Sequence, residues 1–300
     1  MSLLVIGTLA YDSIETPFAR RENVLGGSAV YFSLSASNFG PVRLVGVVGG
    51  DFERKDLELL STRGVDVRGV ERVADGKSFR WSGRYEADWN TRTTLETQLN
   101  VFEHFDPKVP KNFRDSTFVF LANAEPKVQL RALEQCSSPG FVVADTMNLW
   151  IEIRRDELLE VLRRVDGIVL NDEEARMLTG ERNLIKAAAK VRELGPRYVI
   201  LKKGEHGAFL FGEDVRYALP AYPVDAVIDP TGAGDCFAGG FMGYLAAADC
   251  VEAPTLRRAM LYGTVTASFC VQGFGVEALE AKKRAQIESR FNEMLEFVTL

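Results

Sequence analysis

Two hydrophobic patterns alternate along most of the chain. Leu3–Gly7, Arg43–Val48, Thr117–Leu121, Phe141–Asp145, Gly167–Leu170 and Tyr198–Lys202 are short runs rich in Val, Ile, Leu and Phe, without polar alternation. Such runs predict strands buried on both faces. Between them, Ala29–Phe39, Glu53–Arg63, Lys127–Cys136, Arg154–Arg164 and Leu184–Leu194 space their apolar residues as amphipathic helices do. Alternating strand and helix predict a mostly parallel sheet covered on both faces. The last third is helical, with Ala233–Ala248, Thr255–Val271 and Glu280–Phe297 as its helices.

One region breaks the rhythm. From Lys77 to Phe105 the sequence alternates and is aromatic: Phe79, Trp81, Tyr85, Trp89, then Thr93, Leu95, Thr97, Leu99 and Val101. This predicts antiparallel strands with one polar face. They serve either as a lid or dimer surface, or as a plain edge hairpin of the main sheet.

Composition narrows the class. A chain of 300 residues is near the size at which one hydrophobic core stops growing, so one large domain with a small appendage is expected. At 46% hydrophobic and 26% charged residues, it has an ordinary globular composition. A net charge of −6 argues against non-specific nucleic-acid binding, but local donors can still hold a phosphate. Cys136, Cys236, Cys250 and Cys270 form no CxxC pair and read as reduced thiols. His104 and His206 lack a zinc spacing. The apolar run at Leu3 is too short for a signal peptide, and no run reaches the ~18 residues of a membrane helix. The expectation is a cytoplasmic protein with no membrane partner.

The chemistry concentrates in Asp229-Pro230-Thr231-Gly232-Ala233-Gly234-Asp235, which leads into the small-residue helix Cys236-Phe237-Ala238-Gly239-Gly240-Phe241. A helix start exposes unpaired backbone N–H groups and carries partial positive charge. Glycines let that backbone approach an anion. The segment therefore predicts an anion hole at Gly232, Ala233 and Gly234, with Asp235 beside it in the first turn. A carboxylate there can accept a proton from an attacking hydroxyl, or it can simply favour the positive helix end. The segment is not a dinucleotide fingerprint, since the third glycine position holds Phe237, and the chain has no Walker loop.

This stretch closely resembles the signature of the ribokinase-like, or PfkB, carbohydrate kinases. Other segments resemble that family in the same order: Gly7-x4-Asp12, Gly26-Gly27-Ser28-Ala29, Val45–Asp51, Asp145-x-x-Asn148, Asn171-Asp-Glu-Glu174 and Lys203-Gly204-Glu-His-Gly207. The resemblance implies a ribokinase-like three-layer α/β/α fold with a mostly parallel central sheet and a small β lid. It makes residues 1–300 one kinase domain, with lid strands inserted at about 11–25 and 77–105.

The resemblance also implies roles. Asp235 would be the catalytic base, with Gly232, Ala233 and Gly234 stabilising the transferred phosphoryl. Asn171 and Glu174 would organise the phosphates of ATP and Mg²⁺, Glu174 through water. Lys203, Gly204, Gly207 and Thr231 would border the nucleotide. Asp12, Gly26, Gly27, Ser28, Tyr31 and Asn148 would face the acceptor. A monovalent-cation site near Asp229 and the last loop, and a homodimer through the lid, are further features of such proteins. Tyr31 stands where the family has an asparagine, and Asp145–Trp150 lacks the arginine that many sugar-kinase members carry. The expected activity is ATP-dependent phosphorylation of a sugar hydroxyl. The alternatives are a nucleoside kinase of the same fold and an inactive sugar- or nucleotide-binding relative.

Overall fold

The computed structural model describes residues 1–298. The chain opens with β1 (Leu3–Ile6), β2 (Ala10–Glu15), β3 (Arg20–Gly26), α1 (Ser28–Ala36), β4 (Val42–Gly49) and α2 (Arg54–Thr62). It continues through β5 (Val65–Val73), β6 (Phe79–Tyr85), β7 (Arg92–Gln98), β8 (Phe118–Leu121), α3 (Pro126–Leu133) and β9 (Phe141–Asp145). Then come α4 (Asn148–Ile153), α5 (Arg155–Arg164), β10 (Gly167–Asn171), α6 (Asp172–Thr179), α7 (Leu184–Glu193) and β11 (Tyr198–Lys202). The last elements are β12 (Ala208–Phe211), β13 (Arg216–Leu219), α8 (Ala233–Ala248), α9 (Ala253–Cys270), α10 (Glu277–Glu280) and α11 (Arg284–Val298).

The strands make two sheets. The larger has nine strands in the order β13-β12-β11-β10-β9-β8-β1-β4-β5, parallel from β11 to β5 and antiparallel through β12 and β13. Side chains alternate across it. Leu3 and Val5 enter one core, with residues of α1, α8, α9 and α11. Leu4 and Ile6 enter the other, with residues of α3, α5, α6 and α7. Burial on both faces is why these strands read as continuous apolar runs.

The smaller sheet has four strands in the order β3-β2-β6-β7. It is the antiparallel insertion anticipated from the aromatic alternation, with one parallel pairing between β2 and β6. Its alternation stops earlier than expected. Leu99 and Val101 do not extend a strand, because Asn100 turns left-handed (φ 50°) and a 3₁₀ turn over Asn100–His104 follows. That turn buries Phe102, and Phe105 just beyond it is buried too. Residues three apart share a face in such a turn.

Candidate active site

In parallel α/β sheets, ligands gather at the carboxyl ends of the strands. Asp145 ends β9, Asn171 ends β10 and Lys202 ends β11, with Asn171 and Lys202 side by side in register. The start of α8 faces this row.

The loop before α8 is held from both sides. Asp229 is fully buried; its Oδ1 accepts the Thr231 amide at 2.8 Å and its Oδ2 accepts the Gly275 amide at 3.1 Å. The Thr231 hydroxyl hydrogen-bonds the Tyr85 phenol of β6 at 3.2 Å, tying the loop to the small sheet. Gly232 caps α8 in the left-handed conformation, φ 75°. Small residues bring α8 close to its neighbours. The Ser35 hydroxyl of α1 and the Thr266 hydroxyl of α9 both donate to the Cys236 carbonyl, at 2.7 and 2.8 Å.

The anion hole differs from expectation at one amide. Ala233 donates its N–H to Pro230 O at 3.2 Å, so it is engaged within the turn. The amides of Gly232 and Gly234 have no backbone acceptor among the described residues. Of the three amides expected to form the hole, these two are without an acceptor.

Asp235 is half-buried in the first turn of α8. Burial, with Asp145 and Glu174 adding to it, pushes its pKa up to about 7, while Lys202 and Arg92 pull the other way. Glu174 also rises to about 7, chiefly through burial. It forms a capping box with Asn171: the Asn171 amide donates to Glu174 Oε2 at 2.7 Å, and the Glu174 amide donates to Asn171 Oδ1 at 2.8 Å. The N-cap reading of this pair therefore holds in the structure.

Of the residues expected to face the acceptor, Asp12 is buried against Gly26, where a Cβ would lie 2.0 Å from Asp12 Oδ2. Burial first, then Asp229 and Asp235, raise its pKa to about 8. Gly27 (φ 97°) opens α1. Ser28 spends its hydroxyl on Thr8 Oγ1 at 3.0 Å and Asn123 O at 3.3 Å, which makes it a brace for the wall. Asn148 starts α4 with its side chain exposed. Tyr31 lies beneath the loop, only 1% exposed. A Cβ on Gly232 would stand 2.4 Å from its ring, and its hydroxyl has no partner. The ring is the floor of the anion loop, not a face open for stacking.

Asp12→Asn tests the cost of this buried charge. Between the ordinary carboxylate range and about 8 the folded protein holds a proton that the unfolded chain releases, so stability falls as pH rises through that window. The variant should melt about 3 °C or more above the parent at pH 8.5, with the gap closing toward pH 4. Thermal melts without ligand read this directly; equal melting temperatures at pH 8.5 would contradict it.

The loop expected to border the nucleotide holds Lys203, Gly204 and Gly207. Lys203 turns to the surface over the Phe209 ring at 4.1 Å. Lys202, passed over in the sequence as a strand-end charge, points into the site instead. A Cβ on Gly234 would lie 2.7 Å from its Nζ. Arg92, exposed at the start of β7, is a second cation, close enough to bear on Glu174, Lys202 and Asp235. The only sequence sign of Lys202 was its place at an expected strand end.

The same features carry over to whole-chain comparison. Residues 2–283 match the model of the pfkB family carbohydrate kinases. The chain belongs to that family. Among PfkB relatives, it is 31% identical over 248 residues to a cytidine kinase of Thermococcus kodakarensis, covering 81% of this chain and 87% of that one. It is 29% identical over 297 residues to a nucleoside kinase of Methanothermobacter thermautotrophicus, covering 92% and 91%. A Burkholderia thailandensis nucleoside kinase solved with inosine shares its fold at TM-score 0.82 and 21% identity, covering 98% of both chains. As a PfkB protein the chain is an ATP-using phosphotransferase of the carbohydrate and nucleoside kinase type, with a ribokinase-like fold. No helix among the described residues is long and apolar enough to cross a membrane.

Proposed function

We propose that this PfkB kinase transfers the terminal phosphoryl of ATP to a hydroxyl of a nucleoside. The observation that carries the transfer is Asp235 at the start of α8, between two free glycine amides and the Asp12 wall. The choice of a nucleoside over a free sugar rests on the cytidine and nucleoside kinases it matches over most of their lengths.

In this reading Asp12 accepts hydrogen bonds from acceptor hydroxyls, and the Gly26–Gly27 turn lets the sugar approach. Asp235 takes the proton of the attacking hydroxyl, and the amides of Gly232 and Gly234 hold the phosphoryl oxygens. Phosphoryl transfer has a loose transition state, so positioning and charge stabilisation supply most of the catalysis. No cluster of three metal-ligating side chains occurs among the described residues. Mg²⁺ is commonly held by one or two carboxylates plus phosphate oxygens. Glu174 suits that mode: it is buried, and burial raises its pKa to about 7, so a nearby cation would favour its ionised form. When bound, Mg²⁺ would neutralise charge on the donor phosphates. The small sheet, as a lid, excludes water that would otherwise compete for the phosphoryl. The unbroken Asp229–Asp235 loop speaks against an inactive binding protein.

An acceptor screen for ADP release tests this, with cytidine, inosine, adenosine, ribose, fructose and 2-dehydro-3-deoxygluconate. Turnover of nucleosides with kcat/KM at least tenfold above that of any free sugar is expected. Preference for a free sugar would overturn the nucleoside assignment. Absence of acceptor-dependent ADP release throughout would overturn the kinase reading.

A further inference from the structure

We propose that Lys202 is a further catalytic residue, whose ammonium contacts the transferred phosphoryl and bears the charge it gathers in flight. This rests on the kinase reading of the site.

Position comes first. Lys202 ends β11, and its side chain runs alongside Gly234. A Cβ there would meet Nζ at 2.7 Å, Cε at 3.5 Å and Cδ at 3.6 Å. Gly234 is thus flanked on one side by an ammonium, while its own N–H is free. A phosphoryl oxygen bound at that amide meets Lys202 next.

Partnering comes second. The Lys202 side chain is 19% exposed, and its nearest anion is Asp145 Oδ1 at 3.8 Å, beyond hydrogen-bond distance. An ammonium has three donors, and a shielded one is costly while they stay unmet. Asp145 of β9, Glu174 of α6 and Asp235 of α8 surround it, and Arg92 of β7 approaches from the lid. These acids hold the charge in place without consuming the donors. Lys203 cannot substitute, since its ammonium sits over Phe209.

In the step itself, the bond from the β,γ-bridging oxygen to the γ-phosphorus breaks and its electron pair leaves with ADP. The acceptor oxygen bonds to that phosphorus, and its proton passes to Asp235. Lys202 keeps its protons throughout and supplies only charge and hydrogen bonds.

Lys202→Met keeps most of the stem and removes the charge. Calorimetry would compare binding of Mg–ADP alone with binding of Mg–ADP plus aluminium fluoride and the best nucleoside, a mimic of the moving phosphoryl. ADP affinity should stay within about threefold, while affinity for the mimic should fall about a hundredfold or more. The kcat should fall by a similar factor at every pH from 6 to 9. Undiminished mimic affinity would overturn the proposal. So would full recovery of kcat at pH 9, which would mean that the lysine acts only by keeping Asp235 ionised. Should the Met variant not fold, Lys202→Arg decides: it keeps the charge but moves the donors. Its rate ratio between ATP and its γ-thio analogue should depart from that of the parent, and an identical ratio would overturn the proposal. Failure of the parent protein to bind the mimic with any acceptor would instead strike the kinase reading, a different result from a normal-binding variant.

Discussion

Asp235→Asn should lower kcat by about a hundredfold or more while ATP affinity changes only a few-fold, because a positioned general base commonly contributes about 10²–10⁴. Asparagine preserves shape and removes only the ability to take a proton. The pH dependence sharpens the expectation. Burial among Asp145 and Glu174 holds the Asp235 pKa near about 7, so below that value the residue carries a proton and cannot accept another. In the parent protein, kcat/KM for the acceptor should rise with pH through about 7 and level off above it. In the variant this acid limb should vanish, leaving a low, flat profile. Steady-state kinetics between pH 5.5 and 9 check both points. A variant with near-normal turnover, or one that keeps the same limb, would remove Asp235 from the chemistry.

Gly232→Ala should be nearly as damaging, for a reason that is wholly geometric. The position is left-handed at φ 75°, which costs an alanine roughly 1 kcal/mol. The larger penalty comes from the Tyr31 ring, which the new methyl would approach to 2.4 Å. Tyr31 is fully buried and cannot swing aside, so the loop must move. Moving it displaces the two free amides, and loss of one such donor commonly costs about 10²–10³ in kcat. The expected variant folds, melts a few degrees lower and turns over about a hundredfold more slowly. Adding Tyr31→Ala should recover at least tenfold of that loss by making room for the methyl. Equal rates in the single and double variants would show that the ring does not set the loop.

The buried strands and helix α8 could be read from the chain because their patterns are local. Phe141–Asp145, Tyr198–Lys202 and Ala233–Ala248 appear with the bounds that their periodicity suggested. Other elements lacked such a signal. β5 is the half-exposed end of the large sheet and β13 carries exposed positions, so neither gives a continuous apolar run, while the apolar β12 is only four residues long between Gly207 and Gly212. The Asp229–Asp235 loop was legible because glycines, a proline and an aspartate in fixed order have few other uses. Lys202 was not, because a lone cation at a strand end usually faces solvent. Only the parallel pairing of β10 with β11 brings it to the loop. Tyr31 shows the opposite hazard. Its place in a motif suggested contact with a ligand, whereas its bulk is spent under Gly232.

The tip of the small sheet reaches the donor side. Asn90 Nδ2 lies 3.4 Å from Glu205 Oε1, and a Cβ on Gly204 would collide with Asn90 Oδ1 at 2.4 Å. In the proposed kinase the small sheet roofs the acceptor and this loop rims the nucleotide, so roof and rim are latched together. Lifting the roof to free a phosphorylated product would also unfasten the ADP rim, and the two departures would share a gate. Such a gate would tie the exit of both products to a single opening motion and make that motion the natural brake on turnover.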